Sequence, residues 1–397
     1  MKIAQIISTP PFAWTTGGPA RVVFELSKSL VKRNHDVTVL TTNLFHGDTS
    51  MNSEKTPVSQ EGIRFHFFTI VGGNLAWKYK TYFSPGLIWH LKKHGGEYDV
   101  LHLQDLISFQ AIATLFYSRI NKVPYVLTPH GCIPWLCEHK IINTFYYRFI
   151  GSQLLKNACG IIALTSTEKR ELLNLSIPEE KIAIIPNGIT LSDFDALPEK
   201  GRFRSKYRIG NTGKMILFLG RVHRIKGIDL LVDAFSDYLK KDPEVRLVIA
   251  GRDEGFLKVL QQQANRLDIA DKIIFSGQLT EQEKFSAYVD ADVFILPSIH
   301  EGFPMTVLEA MACGTPVIVT KGCNISDALE NCGIVIDHDR TQLVQAIESI
   351  LENSPLRQHF GVQGSEKIKN EFNWDNIAER VETVYNNCLN ELHYESI

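Results

Sequence analysis

Pro297-Ser298-Ile299-His300-Glu301-Gly302-Phe303-Pro304-Met305-Thr306-Val307-Leu308-Glu309 runs on into Ala310-Met311-Ala312-Cys313-Gly314-Thr315-Pro316, between the apolar runs DVFILP and PVIVT. Both runs are short and β-rich, as buried strands are. Pro304 suits a first helical turn and Gly314 a helix end, so a helix is expected over about residues 304–312, with Glu301 in the loop before it. The stretch is therefore a strand–helix–strand unit of a parallel sheet. At 1.5 Å per residue Glu309 sits about 7 Å beyond the helix amino terminus. A diphosphate at the helix dipole would leave Glu309 near an attached ribose, whose adjacent hydroxyls a carboxylate can accept. The competing reading makes Glu309 a salt-bridging helix residue and Glu301 a turn residue. The apolar surroundings, which make unpaired carboxylates costly, favour the first.

The same rhythm extends in both directions. KIAQIIS, the helical Arg21–Lys32 and DVTVLT are followed by DVLHL, PYVLT, GIIAL and KIAII. A second series follows: KMILFLG, VRLVIAG, KIIFSG, DVFILP and PVIVT. Leu191–Gly213 between them is rich in charge, Pro and Gly and is expected to be a loose boundary. Residues 1–190 then form one α/β domain and 191–374 another, with a terminal helix over 375–397 carried by Trp374, Ile377, Val381 and Tyr385 at helical spacing. A single (β/α) barrel would share the rhythm but not the central break. It would not explain the charge split either: residues 1–190 carry 19 basic and 13 acidic side chains, residues 191–397 carry 23 and 31. The 397 residues, 44% hydrophobic and 22% charged, suit two ordinary globular domains.

Two further strand-end loops could meet phosphate. In Gly220-Arg221-Val222-His223-Arg224-Ile225-Lys226-Gly227, Arg221 ends a strand and Lys226 opens the next helix. Two cations on one loop suit a diphosphate, Arg as a fork and Lys as a point charge, although a solvated basic loop reads the same way. Thr15-Thr16-Gly17-Gly18-Pro19 lets backbone approach an anion at a helix start, or is simply a tight turn. There is no G-x-G-x-x-G at this turn and no G-x-x-x-x-G-K-[ST] anywhere, which argues against a dinucleotide dehydrogenase and a P-loop enzyme.

A net charge of -2 gives no basic excess for nucleic acid. Seven cysteines, at 132, 137, 159, 313, 323, 332 and 388, show no paired framework and no C-x-x-C spacing, which points to a reducing, cytoplasmic compartment. MKIAQIIS runs straight into a strand with no signal-peptide pattern, and no segment has the 18–20 or so consecutive apolar residues that span a bilayer.

Together, Glu301 and Glu309 with seven residues between them in EGFPMTVLEAMACGTPVI, with GRVHRIKG, the early GGP and Pro186-Asn187-Gly188-Ile189, resemble a retaining glycosyltransferase of family 4 with the GT-B fold. The resemblance covers nearly the whole chain. It implies two Rossmann-like, doubly wound α/β domains facing each other across a cleft, the second holding a nucleotide sugar and the last helix crossing back to the first. By its motifs, Arg221 and Lys226 would neutralise the departing diphosphate, Glu309 would hold the ribose and Glu301 would contact the sugar ring. Backbone from Gly302 through Phe303, Pro304 and Met305 to Thr306 would hold sugar and phosphate. Gly17 and Gly18 would close on the β-phosphate, His130 in Thr128-Pro129-His130-Gly131 would approach the transferring sugar, Asn187 belongs to the PNGI motif, and Leu279 would offer backbone to the base with Lys284 nearby. On its own a strand-end histidine such as His130 reads as a structural hydrogen-bonder. The expected catalytic set is thus His130, Arg221, Lys226 and Glu301.

Retention in this family proceeds without an obvious carboxylate nucleophile, and no metal and no cofactor are implied, since the nucleotide sugar is itself the substrate. The charged turn Ala250-Gly251-Arg252-Asp253-Glu254-Gly255 departs from the family's compact glycine-rich turn, so the resemblance does not define the contacts to the base. UDP is the expected nucleotide, with GDP close behind. His102 and Asp105 are the only acceptor-side candidates and read equally as structural. The acceptor would be a hydroxyl of a saccharide or of a lipid-linked sugar. Trp77, Tyr79, Tyr82, Phe83 and Trp89 are interleaved with Lys78, Lys80, Lys92 and Lys93, and Trp135–Lys156 adds Phe145, Tyr146, Tyr147, Arg148 and Phe149. Such a mixture suits an anionic membrane, placing the protein at its inner face, or else core packing with solvated lysines. A sugar-nucleotide epimerase of the same fold and a catalytically silent nucleotide-sugar-binding subunit stay open as alternatives.

Overall fold

The computed structural model describes residues 1–10, 18–45, 49–50, 58–72, 82–134, 141–210 and 213–395. Gly17, Trp77, Lys78, Tyr79, Lys80, Trp135 and Cys137 lie outside them. The chain divides into two units, Met1–Gly188 with Trp374–Ile397, and Ile189–Asn373.

The first unit is built on β1 (Lys2–Ile6), β2 (Asp36–Thr42), the short antiparallel pair β3 (Leu44–Phe45) and β4 (Thr49–Ser50), β5 (Val58–Gln60), β6 (Ile63–Phe68), β7 (Val100–Leu103), β8 (Tyr125–Leu127), β9 (Gly160–Ala163) and β10 (Ile182–Ile184). Eight of these form one sheet in the order β10-β9-β8-β7-β1-β2-β6-β5, parallel except for the β5–β6 hairpin at its edge. The hairpin was not among the expected strands. Its turn is Glu61-Gly62, both left-handed at φ 52° and 77°, which is what a two-residue hairpin loop requires. The central strands are buried on both faces, as parallel strands must be. Helix Gly18–Lys32 lays Val22, Val23, Leu26 and Leu30 on the sheet. Beside it lies helix Trp374–Glu395, which adds Trp374, Ile377, Val381 and Tyr385 to the same core. Each such buried side chain is worth roughly 1.5–3 kcal/mol.

That helix corrects the reading of the cysteines. Cys159, just before β9, and Cys388 form a disulfide across 229 residues, with Cα atoms 5.4 Å apart. Partners so far apart in sequence leave no local spacing to read. The expectation of a reducing compartment therefore loses its support. Cys132, Cys313, Cys323 and Cys332 are free.

The second unit carries β11 (Met215–Leu219), β12 (Arg246–Ala250), β13 (Ile273–Gly277), β14 (Val293–Leu296), β15 (Val317–Thr320) and β16 (Gly333–Ile336), all parallel in the order β13-β12-β11-β14-β15-β16. Order reverses between β11 and β14, so their carboxyl ends open a crevice where such sheets bind ligands. The unit's two chain ends lie side by side, with the Ile189 N–H donating to the Phe372 carbonyl at 2.6 Å.

Leu191–Gly213 is not a loose boundary. Among its described residues, helix Arg202–Lys206 buries Phe203, and Ile209 is buried beyond it. The Arg204 guanidinium donates to the carbonyls of Gly210 at 2.9 Å and Gly213 at 2.6 Å and to the Asp292 carboxylate at 2.8 Å. Asp290 in turn accepts from the N–H groups of Phe203 at 2.8 Å and Arg204 at 3.0 Å. Arg204 is thus paired with a carboxylate 88 positions away.

Candidate functional site

At the β11–β14 reversal the two strand-end loops are stitched together. The Ile299 N–H donates to the Ile225 carbonyl at 2.8 Å. Lys226 closes the turn Arg224–Lys226, and the next residue must be glycine. Gly227 sits at φ 62°, and a Cβ there would run into the carbonyl oxygen of Pro297. The turn delivers the Lys226 ammonium to the Glu301 carboxylate, both side chains largely buried. Ser298 Oγ donates to the same Oε1 at 2.9 Å. The backbone of Glu301 is held as firmly, its N–H on the Gly322 carbonyl at 2.8 Å and its carbonyl on Asn324 Nδ2 at 2.8 Å. Burial would make either charge costly alone, and together they neutralise each other.

Helix Met305–Ala312 starts beside this pair. Its N-cap is Pro304, which supplies no side-chain cap, and its first turn holds no acidic residue. Its first N–H groups and positive dipole end are thus left for an anion. It ends at Cys313, with Gly314 left-handed at φ 73° and the Gly314 and Thr315 N–H groups on the carbonyls of Met311 and Ala310. Gly302, Phe303, Pro304, Met305 and Thr306 lie along this approach. Glu309 is buried on the helix and pairs with Lys284 Nζ at 2.8 Å, while the Tyr288 hydroxyl donates to its other oxygen at 3.1 Å. Lys284 and Tyr288 stand four apart on helix Glu281–Asp290. That spacing was the signal available for Tyr288, which sequence reasoning missed. Leu279, half-buried, precedes the helix and packs on the core of the unit.

Arg221 is placed differently. Its side chain is 56% exposed and pairs with Glu254 at 2.8 Å, so Arg221 and Lys226 each hold a different carboxylate. The charged turn that replaces a glycine-rich one has its own logic. Gly251, at φ 143°, is pressed so close to Gly220 that any Cβ would collide with its carbonyl. Asp253 Oδ1 accepts from the N–H groups of Gly255, Phe256 and Leu257 at 2.9–3.0 Å, and these bonds hold its carboxyl below the usual range. The amino terminus of helix Leu257–Arg266 is thereby filled by the protein's own carboxylate, unlike that of Met305–Ala312.

In the first unit, Gly18 opens its helix and Asn187 is buried beyond β10. His130 follows β8 in a left-handed conformation, φ 54°, with Gly131 at 75° after it. The Gly131 N–H donates to Glu168 Oε1 and the Leu164 N–H to Oε2, each at 2.7 Å. Burial pushes the Glu168 carboxyl up to about 7 and the His130 imidazole down to about 4. His102 is interior, hydrogen-bonded to Tyr385 and Thr128, and the half-buried Asp105 accepts the Ser8 N–H at 2.6 Å.

Residues 16–193 match the family described as Glycosyltransferase Family 4, and residues 199–367 match Glycosyl transferases group 1. The chain is 27% identical over 409 residues to an uncharacterized glycosyltransferase of Methanocaldococcus jannaschii, covering 97% of this chain and 98% of that one. It is 27% identical over 414 residues to the D-inositol 3-phosphate glycosyltransferase of Corynebacterium diphtheriae, covering 97% and 94%. Its fold matches that of Anabaena HepE, solved in complex with UDP and glucose, with a TM-score of 0.76 at 19% identity over 96% of this chain and 98% of the other.

Proposed function

The chain belongs to the family 4 glycosyltransferases and has their GT-B fold, and from that premise we propose that it transfers a sugar from UDP to a hydroxyl with retention of configuration. The observation that carries the proposal is the Lys226–Glu301 pair beside the uncapped start of helix Met305–Ala312. A diphosphate entering there would meet the Lys226 ammonium and the free N–H groups of Met305 and Thr306, with Arg221 available from a more exposed position. Glu301, relieved of Lys226, would accept from a hydroxyl of the sugar ring, and Glu309 from the ribose.

In the proposed reaction the bond between the anomeric carbon and the β-phosphate oxygen breaks, the acceptor oxygen bonds to that carbon from the same face, and the acceptor's proton leaves on the diphosphate. Charge developing on the leaving group is met by fixed cations and helix N–H groups, so the step needs no divalent cation. Neither a nucleophile nor a covalent intermediate is assigned to Glu301. His130 would contact the transferring sugar, and Gly17 and Gly18 the β-phosphate.

UDP is favoured over GDP because a protein of this fold holds UDP and glucose. The second relative's name, which gives it a phosphorylated polyol as acceptor, is consistent with a hydroxyl acceptor. A lipid-linked acceptor is favoured by the first unit's surface. Trp89 is 68% exposed, with Ile88, Phe116, Ile120, Phe145 and Phe149 also exposed, and Lys93 sits over the Trp89 ring at 5.4 Å. These side chains stay out of the core, whereas Tyr146 and Tyr147 pack against it, and with the excess of basic over acidic residues in 1–190 the exposed ones suit an anionic membrane surface. No described helix is long and apolar enough to cross a membrane.

Donor specificity is tested by product analysis with UDP-, GDP- and ADP-sugars on saccharide and glycolipid acceptors, with anomeric configuration read by NMR. The reading requires a UDP-sugar to give α-product from α-donor. Interconversion of the free nucleotide sugar without transfer would make the chain an epimerase. Membrane association is tested by vesicle co-sedimentation, which should need anionic lipid and fall with salt. Failure to bind at low salt would leave a soluble acceptor.

A further inference from the structure

Five buried polar side chains behind His130 form a hydrogen-bond chain, and with the Gln5 and Gln104 carboxamides oriented as they are it runs in one consistent direction. Gln5 lies on β1, His102 on β7, Gln104 just beyond β7, Thr128 just beyond β8 and Tyr385 on the C-terminal helix. A carboxamide has one accepting oxygen and one donating nitrogen, and a neutral imidazole has one nitrogen of each kind. Gln104 Nε2 donates to Gln5 Oε1 at 2.7 Å and reaches His102 Nδ1 at 3.1 Å. Gln5 Nε2 donates to the Tyr385 hydroxyl at 3.2 Å, which directs the tyrosine proton to His102 Nδ1 at 2.6 Å. His102 Nδ1 is therefore the acceptor, and its Nε2 carries the proton donated to Thr128 Oγ1 at 2.8 Å. The oxygen of Gln104 stands 2.8 Å from His130 Nε2. With that oxygen, which can only accept, turned toward it, the nitrogen carries the proton.

We propose that Gln104 sets the tautomer of His130, holding the ring proton on Nε2 so that Nδ1 is the hydrogen-bond acceptor for a hydroxyl of the transferring sugar. The inference rests on the reading of His130 as a residue that touches that sugar. Gln104 acts through His130 and is a positioning residue. Burial keeps both rings neutral near pH 7, His130 down to about 4 and His102 down to about 3, so a tautomer exists to be set. The ring's backbone is held independently, by the left-handed turn His130-Gly131 and the Gly131 N–H on Glu168. With the turn pinned from one side and Nε2 from the other, the opposite tautomer would face the Gln104 oxygen with a lone pair and would turn the acceptor nitrogen into a donor.

The test is a long-range ¹H–¹⁵N correlation spectrum of the full-length protein labelled at histidine, at pH 7, with the His130 signals assigned by their loss in His130→Ala. The expected pattern is a neutral ring protonated at Nε2. In Gln104→Leu it should give way to a mixture containing the Nδ1–H form, with kcat reduced about ten-fold or more while the donor KM stays within about two-fold. Gln104→Met, close in volume and without an accepting oxygen, stands in if the leucine variant does not fold. An Nδ1–H pattern in the parental protein, or an unchanged pattern in a folded Gln104 variant, overturns the proposal. An Nε2–H pattern together with a His130→Ala variant that transfers at the parental rate overturns instead the placement of His130 at the sugar.

Discussion

Lys226 and Glu301 are ion-paired at the point where the second sheet reverses its strand order, one on the loop after β11 and the other on the loop after β14, 75 positions apart. The sheet topology brings them together, and the pair stores a cation where a diphosphate would need one. Truncating one member of a desolvated charged pair costs about 2–5 kcal/mol, so Lys226→Ala should lower kcat/KM by roughly 30-fold to several-thousand-fold. Arg221, 56% exposed on a separate carboxylate, should give a smaller loss. Steady-state kinetics of the two variants decide this, and equal losses would mean that both cations meet the same phosphate as closely.

Glu309→Gln should weaken donor binding and also the fold. It leaves Lys284 and Tyr288 without the carboxylate they share in the interior, and an uncompensated buried charge costs roughly 3–5 kcal/mol. Glu309→Gln combined with Lys284→Met should recover stability without recovering donor affinity. Urea denaturation and calorimetric titration separate the two effects. Recovery of both would show that Glu309 serves only the fold.

Much of this site was legible because Arg221, Lys226, Glu301 and Glu309 stand at strand ends or on the helix that follows, where short apolar runs announce the strands. Their partners were not. Glu254 and Asn324 acquire meaning only once separate loops meet, and Tyr288 only once its helix packs against the one that carries Glu309. The β5–β6 hairpin escaped because IRFHFF, next to the edge strand, alternates polar and apolar residues where the strands that were read are continuous apolar runs, and β16 because GIVI is four residues long. Leu191–Gly213 looked loose because Arg204 and its aspartates are far apart in sequence. His130 was legible as a strand-end residue, whereas the polar chain behind it draws on two strands, two strand-end loops and the last helix.

The Cys159–Cys388 bond closes a 229-residue separation, and loops of that size should gain about 2–4 kcal/mol or somewhat more from closure. Non-reducing peptide mapping should recover the cross-linked pair, and Cys388→Ser should lower the unfolding free energy by about that amount relative to the oxidised parent. An identical unfolding midpoint with and without reductant would show that the bond contributes nothing.

Glu168 should leave a mark on stability against pH. Its folded pKa, about 7, lies above its ordinary value of 4.5, so the folded state holds the extra proton between those values. Stability from this group is present at low pH and is lost as pH rises from about 4.5 to 7, on the order of 3 kcal/mol in all. His130 and His102, whose pKa values are lowered, act in the opposite direction between about 4 and 6.5 and are common to both proteins compared. The stability of the parent relative to Glu168→Gln should therefore fall from pH 5 to pH 7 in urea titrations. A flat difference would place the Glu168 carboxyl in its ordinary range.

The central claim is that the loops at the β11–β14 reversal hold the diphosphate of a nucleotide sugar. Thermal denaturation of the parent and of Lys226→Ala, with UDP, GDP, ADP and their sugars in the presence of EDTA, tests it most directly. A ligand at 100 times its Kd adds about 2.7 kcal/mol, a shift of a few degrees. UDP and a UDP-sugar should stabilise the parent without metal, and the shift should shrink or vanish in Lys226→Ala. Equal stabilisation of both proteins, or no stabilisation of the parent by any nucleoside diphosphate, would contradict it.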